Sequence, residues 1–227
     1  AISGIGAICH TVNLRLADEE LIYILNHAED RLVFFDTDMA EAMARVQPHT
    51  KSVERFVAMS DAAHQPDVAP TGTVDYESFI AAASDHHDWA EFDENTAASM
   101  CYTSGTTGDP KGVLYSHRAT VLHAMASCYA STLNLRTEDV ILPVVPMFHV
   151  NAWGIPYSCP IAGTPLVMPG PKLDGQSLFE LMDAEGVTMA LGVPTVWMNL
   201  LDHMDKLGRK PAALDRVVIG GAAASEA

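Results

Sequence analysis

An α/β fold, with largely parallel β-sheets flanked by helices, is predicted from three observations. Short apolar runs alternate with segments of helical period along the chain. The 227 residues are 48% hydrophobic, enough for one large domain with a real core. No apolar run reaches the length of a membrane span.

The elements follow in order. Residues 2–10, small and apolar with Gly4 and Gly6, read as a buried helix end or turn. A helix is expected over 18–29, where Asp18, Glu19 and Glu20 suit the N-terminal dipole and Leu21, Ile22, Leu25 and Ala28 form a stripe. Residues 32–35 read as a short buried strand, 39–46 as a helix and 53–59 as a strand. Residues 60–74, rich in Ala, Asp, Pro and Gly, read as a loop. A helix over 75–83 and a solvated acidic stretch over 85–95 come next. Residues 97–102 form a strand that feeds a polar loop. Ser116 caps the next helix, with Leu122, Met125, Ala126 and Tyr129 as its apolar face. Strands are expected over 140–145, 164–168, 187–191 and 214–219, with helices over 178–184 and from Pro194 to Met204. Alternation of this kind implies a mostly parallel sheet covered on both sides. No internal repeat or domain boundary is visible.

Composition excludes several functions. Thirteen basic against 29 acidic residues give a net charge of -16, which repels nucleic acid. Cys9, Cys101, Cys128 and Cys159 have neither disulfide-framework nor zinc spacing and read as buried reduced thiols of a cytoplasmic protein. His86 and His87 are adjacent, which seldom presents both rings to one ion, and Asp85 and Asp88 suit a wet loop. No basic segment followed by an apolar one opens the chain, so no signal peptide is expected. The start at Ala1 without methionine and the stop at Ala227 after a Gly-Gly turn read as cut ends.

The chemistry centres on Tyr102-Thr103-Ser104-Gly105-Thr106-Thr107-Gly108-Asp109-Pro110-Lys111-Gly112-Val113. Glycines bring backbone N–H groups close to an anion, hydroxyls add donors, and a lysine adds a mobile positive charge. Lys111 is the only lysine between Lys51 and Lys172 in this acidic chain. The Walker pattern fails, because Lys111 follows Pro110 and precedes Gly112; the dinucleotide fingerprint lacks its first glycine. A plain polar loop is the alternative, and the strand–loop–helix context argues against it.

Residues 102–113 resemble the phosphate-loop signature of the adenylate-forming superfamily, which includes acyl-CoA synthetases, luciferases and peptide-synthetase adenylation domains. Further stretches narrow the resemblance to medium- and long-chain fatty acyl-CoA synthetases. Residues 16–31, Leu16-Ala17-Asp18-Glu19-Glu20-Leu21 onward, resemble a segment those enzymes carry upstream of the loop. In Pro146-Met147-Phe148-His149-Val150-Asn151-Ala152-Trp153-Gly154, a helical turn would put His149 and Trp153 on one face. The cluster could be aromatic packing or an apolar pocket with a polar handle. By resemblance His149 borders the active site, Trp153 gates the fatty-acid tunnel, and Val150 and Trp153 contact the acyl-adenylate. Val217-Val218-Ile219-Gly220-Gly221-Ala222 resembles the glycine-rich turn beside the adenine and acyl groups, which adds Gly221 and Ala222 to the pocket. The proline usual near Ser225 is missing. Gly192-Val193-Pro194-Thr195-Val196-Trp197 also fits, with Trp197 as packing.

The resemblance implies a partial N-terminal AMP-binding domain over 1–227, without the C-terminal lid. The Mg-binding glutamate, ribose-binding aspartate and lid lysine are not in this sequence, so no catalytic residue is assigned, and this piece alone is expected to be inactive. Thr103, Ser104, Gly105, Thr106, Thr107, Gly108 and Lys111 would hold ATP phosphates, with Thr103 near Mg²⁺. The expected reaction is ATP-dependent activation of a fatty acid to its acyl-adenylate, then thioester formation with CoA. A nucleotide-binding module, a short or aryl acid as substrate, and a carrier-protein acceptor stay open as alternatives, and so does a homodimer.

Overall fold

A computed structural model describes residues 1–81, 83–103 and 109–222. The chain divides into two compact units, one of residues 1–92 with 102–113, the other of 93–101 with 114–227. Two of the three crossings fall inside strands, so no Gly- or Pro-rich linker marks the division. That is why the sequence shows no boundary.

The first unit contains β1 (Cys9–His10), α1 (Asp18–His27), β2 (Leu32–Phe35), α2 (Ala40–Val46), β3 (Arg55–Ala58), β4 (Val74–Asp75) and α3 (Tyr76–Ala81). β2 pairs in parallel with β3 from Leu32↔Arg55 to Phe35↔Ala58, and β3 pairs in parallel with β4. The crossover helix α2 makes the parallel pairing of β2 and β3 feasible. Leu21 and Leu25 of α1 join Ala40, Met43 and Val46 of α2 over Phe35, Phe56 and Ala58. Each such buried large side chain contributes about 1.5–3 kcal/mol. Asp18, in the first turn of α1, takes two hydrogen bonds from Arg45 of α2, at 2.7 and 3.1 Å. That bond holds its carboxyl below the usual range.

Two expectations change here. Residues 2–10 are not buried, since Ile2, Ile5 and Ile8 are exposed around a 3-10 turn at Ser3–Ile5. The loop over 60–74 ends in β4, whose two residues are too few to show a period. Asp75, expected to open a helix, caps α3 by accepting the N–H of Ser78 at 2.8 Å.

β5 (Ala97–Thr103) and β6 (Lys111–Ser116) form a sheet with β1 in the order β1-β5-β6. β6 corrects the sequence reading: a strand, not the helix, follows the polar loop. Its Val113-Leu114-Tyr115 run has strand propensity, but it is short and abuts a helix cap.

The second unit continues with α4 (His117–Ser127), β7 (Ile141–Pro143), α5 (Val150–Trp153), α6 (Ile155–Ala162), α7 (Gly175–Ala184), β8 (Met189–Gly192), α8 (Pro194–Leu207) and β9 (Arg216–Ile219). Ser116 caps α4, its side chain accepting from the N–H of Ala119 at 3.1 Å. β7, β8 and β9 are parallel neighbours. Alternate residues serve opposite faces of this sheet. Leu142, Val144 and Ala190 pack with Leu178, Phe179 and Met182 of α7 and Trp197 and Leu200 of α8. Ile141, Val145, Met189 and Leu191 pack with Ile155 and Cys159 of α6. Burial on both faces explains why β8 is apolar at every position.

The strand expected over 164–168 is reduced to one parallel bridge, Ile141↔Leu166. α6 was not expected, because Pro156 and Pro160 obscure its period; Gly154 and Gly163 end it with left-handed residues. The face of α4 also differs. Leu122, Met125 and Tyr129 are exposed, whereas the small Ala124 and Ser127 are buried. α4 packs on α6, and small side chains permit that approach. A half-buried arginine anchors β9: Arg216 donates to the carbonyls of Leu133 and Asn134 at 2.9 and 3.1 Å and pairs with the buried Asp139. All four cysteines are free; Cys101 and Cys159 are buried, and burial pushes the Cys159 thiol up to about 11.

Candidate active site

Each unit carries part of the expected site. In the first, the polar loop joins the ends of β5 and β6. Thr103 closes β5 and Lys111 opens β6. Both are exposed, and the Thr103 Oγ1 hydroxyl donates to the Lys111 carbonyl at 3.5 Å. This bond links the end of β5 to the start of β6. Among the described residues the Lys111 ammonium makes no ion pair, so it is available to an anion. Ser104, Gly105, Thr106, Thr107 and Gly108 lie outside the described residues.

Tyr102, just before Thr103, sits in a cluster that the sequence reading missed. Its hydroxyl lies 2.7 Å from Nδ1 of His27, the last residue of α1. Its ring lies 5.2 Å from the ring of His10, whose Nδ1 is 2.8 Å from Asp30 Oδ2. His27 also stacks on Tyr23 at 5.3 Å. Burial raises the Tyr102 phenol above its ordinary pKa, and the Asp30 and Tyr23 charges add to this. No sequence signal joins positions 10, 27 and 102.

In the second unit, α5 is a single turn of the opposite hand. Val150, Asn151, Ala152 and Trp153 have φ of 48, 48, 53 and 54°, and Gly154 follows at 73°. Each non-glycine residue in this conformation costs about 1–2 kcal/mol. The turn is held by burial of Asn151 and Ala152 and by the buried Ser99 hydroxyl, which donates to Asn151 Oδ1 at 3.3 Å. Gly154 is needed twice over: its φ is left-handed, and a Cβ there would stand 2.7 Å from His123 Nδ1.

This turn places the expected pocket residues. His149 and Val150 are exposed, and Trp153 is half-buried. A Cβ on Gly220 would lie 2.7 and 2.8 Å from Cη2 and Cζ2 of the Trp153 indole, so the indole rests directly on that glycine. Gly221 is exposed with φ +86°, and a Cβ there would meet Val193 Cγ1 at 3.3 Å. Ala222 is exposed. Trp153 and the Gly220-Gly221 turn, 67 positions apart, therefore meet as one wall. Trp197 is packing, as expected: it is buried, and its indole N–H donates to the Gly192 carbonyl at 3.2 Å.

Among the described residues no group of three or more His, Cys, Asp and Glu side chains could hold a metal ion. His86 pairs with Asp88 at 3.2 Å, while His87 meets the edge of Trp89. Thr103 offers one exposed hydroxyl oxygen. This fits Mg²⁺ arriving with a nucleotide, which takes most of its ligands from phosphates and water.

Parallel sheets flanked by helices define an α/β protein, in which one unit carries the glycine- and hydroxyl-rich segment and the other an indole resting on a glycine turn. The chain belongs to the AMP-binding enzyme family, whose profile matches residues 1–227. It is 50% identical over 223 residues to the 3-methylmercaptopropionyl-CoA ligase of Ruegeria lacuscaerulensis, covering 98% of this chain and 41% of that protein. Against the medium-chain-fatty-acid–CoA ligase of Ectopseudomonas oleovorans the identity is also 50% over 223 residues, with the same 98% and 41% covered. The fold matches the crystal structure of the anthranilate CoA ligase AuaEII in complex with anthranoyl-AMP, with a TM-score of 0.85 at 20% identity, covering 98% of this chain and 42% of that one. The chain thus spans about two fifths of the length of these relatives.

Proposed function

We propose that this chain is part of the large N-terminal domain of an acid–CoA ligase that adenylates a medium- or long-chain fatty acid. The reading rests above all on the Tyr102–Val113 signature, in whose described ends the Thr103 hydroxyl donates to the Lys111 carbonyl and the Lys111 side chain is exposed, with no ion pair among the described residues. In the first half-reaction a carboxylate oxygen attacks the α-phosphorus of ATP, and the bond to pyrophosphate breaks. Lys111 would neutralise charge on the departing phosphates, and Thr103 would orient them; such positioning dominates phosphoryl and nucleotidyl transfer. Ser104, Gly105, Thr106, Thr107 and Gly108 complete the phosphate loop by resemblance. Mg²⁺ bound with the nucleotide supplies further charge neutralisation, with Thr103 as its protein oxygen. In the second half-reaction the CoA thiolate attacks the acyl carbonyl and AMP leaves. His149, Val150, Trp153, Gly221 and Ala222 form the acyl-adenylate pocket. The reduced cysteines suit a cytoplasmic setting.

A second substrate reading has equal support. The 50% identity to a 3-methylmercaptopropionyl-CoA ligase matches that to a fatty-acid ligase. The test is AMP formation by the full-length enzyme with acids from C3 to C16 and with 3-methylmercaptopropionate, each with and without CoA. CoA-dependent turnover that peaks at C8 or longer supports the fatty-acid reading. A peak at the thioether acid replaces it with the second. Turnover that needs a phosphopantetheinyl carrier instead of CoA overturns both.

A further inference from the structure

The cluster around Tyr102 stands at the entrance to the phosphate loop and has no part in the chemistry above. α1 is fixed in the core by Leu21, Ile24 and Leu25, each 2% exposed. Its C-terminal turn reverses through Glu29 at φ 55°, and the N–H of Asp30 closes back on the Leu25 carbonyl at 3.1 Å. The turn therefore offers two side chains. His27 reaches the Tyr102 hydroxyl, and Asp30 takes His10 Nδ1. His10, with its side chain 5% exposed, lays its ring along that of Tyr102. Tyr102 is held at its hydroxyl and along its ring, and the next residue is Thr103, tied to the Lys111 carbonyl.

We propose that His27 is a positioning residue for ATP: through its hydrogen bond to Tyr102 it fixes where Thr103 and Lys111 present themselves to the nucleotide phosphates. The Tyr102 hydroxyl and His27 Nδ1 share one hydrogen bond of 2.7 Å, whose donor depends on the His27 tautomer. The bond joins a rigid helix end to an exposed strand end, so its loss should loosen phosphate binding without touching the acyl wall. A net hydrogen bond of ordinary strength corresponds to about a three- to tenfold change in an equilibrium constant.

The inference rests on the phosphate-binding part of the proposed function, so its test reads ATP binding separately from catalysis. In the full-length protein, Kd for Mg-ATP is measured by equilibrium dialysis for wild type, Tyr102→Phe, His27→Ala, the double variant and His27→Asn. KM for ATP and for the acid is measured in parallel. Tyr102→Phe removes one oxygen and spares the fold. Each single variant is expected to weaken ATP about three- to tenfold and leave KM for the acid within twofold. The double variant should be no worse than either single, and His27→Asn, whose Oδ1 stands near the position of Nδ1, should recover most of the loss. Unchanged ATP binding in Tyr102→Phe overturns the inference. So do losses that multiply in the double variant, or an acid KM that rises in step with that of ATP. Wild type that binds Mg-ATP but adenylates no acid refutes the ligase reading while leaving the Kd comparison decisive; wild type that binds no ATP refutes both.

Discussion

Gly220→Ala is the substitution whose effect the geometry defines most closely. The new methyl carbon would stand 2.7 Å from Cη2 and 2.8 Å from Cζ2 of Trp153. Carbon atoms rest at about 3.5–4.0 Å, so the indole must retreat by about 0.8 Å or more. It cannot do so freely, because Trp153 ends a left-handed turn whose Asn151 and Ala152 are buried and packs with Val218 against the core around Ile155. Overpacking of this kind costs about 1–3 kcal/mol. If the full-length protein has the proposed ligase activity, the displaced indole should raise KM for the acid by about 5- to 100-fold, with KM for ATP within twofold. Adding Trp153→Phe replaces the colliding six-membered ring of the indole with a shorter side chain and should restore most of the lost stability. The assay is urea unfolding, with initial rates at varied acid and ATP. Gly220→Ala with wild-type stability and wild-type acid KM would refute the contact. Additive losses in the double variant would show that the two residues do not meet.

Three other expectations follow from separate parts of the molecule. Lys111→Ala removes an exposed cation that makes no ion pair among the described residues. It should leave the unfolding midpoint unchanged while lowering kcat/KM for ATP by about 10- to 100-fold, read by steady-state adenylation. Gly175→Ala would put a methyl carbon 2.1 Å from the Asn199 carbonyl oxygen, a backbone atom that cannot swing away. The α7–α8 contact should lose about 3 kcal/mol, measured by urea unfolding. Asp139→Asn breaks the Arg216 pair and should cost about 3 kcal/mol at pH 7. Burial alone would raise the Asp139 carboxyl, but bonds from Arg216, the Arg136 N–H and the Thr188 hydroxyl hold it below 3.8. A lowered folded pKa gives stability that is present above 3.8 and lost as pH falls through the folded value. The difference between wild type and Asp139→Asn should therefore shrink in acid unfolding below pH 4.

Local rules made much of this legible in advance. The acidic start of α1, the Ser116 cap, Pro194 at the first position of α8 and the apolar run of β8 all signal their elements within a few residues. The signature over 102–113 stands out in the sequence because its residues are contiguous, and 104–108 of it lie outside the described residues. What stayed hidden depends on tertiary contact. β6 is short and runs straight into a helix cap. The left-handed hand of α5 comes from the burial of Asn151 and Ala152, and nothing in Val150-Asn151-Ala152-Trp153 specifies it locally. The partners of Trp153 and Tyr102 lie 67 and 75 positions away, beyond any periodic signal. The outer face of α4 was misread because apolar periodicity identifies a stripe, while the close approach to α6 selects small residues.

The most direct test is carboxylate-dependent exchange of pyrophosphate into ATP by the full-length enzyme, comparing wild type with Lys111→Ala. Exchange that requires a fatty or thioether acid and falls at least tenfold in Lys111→Ala is the expected result. A folded protein that binds Mg-ATP yet exchanges with no acid would contradict the ligase function. Exchange that is undiminished in Lys111→Ala would contradict the role given to the loop.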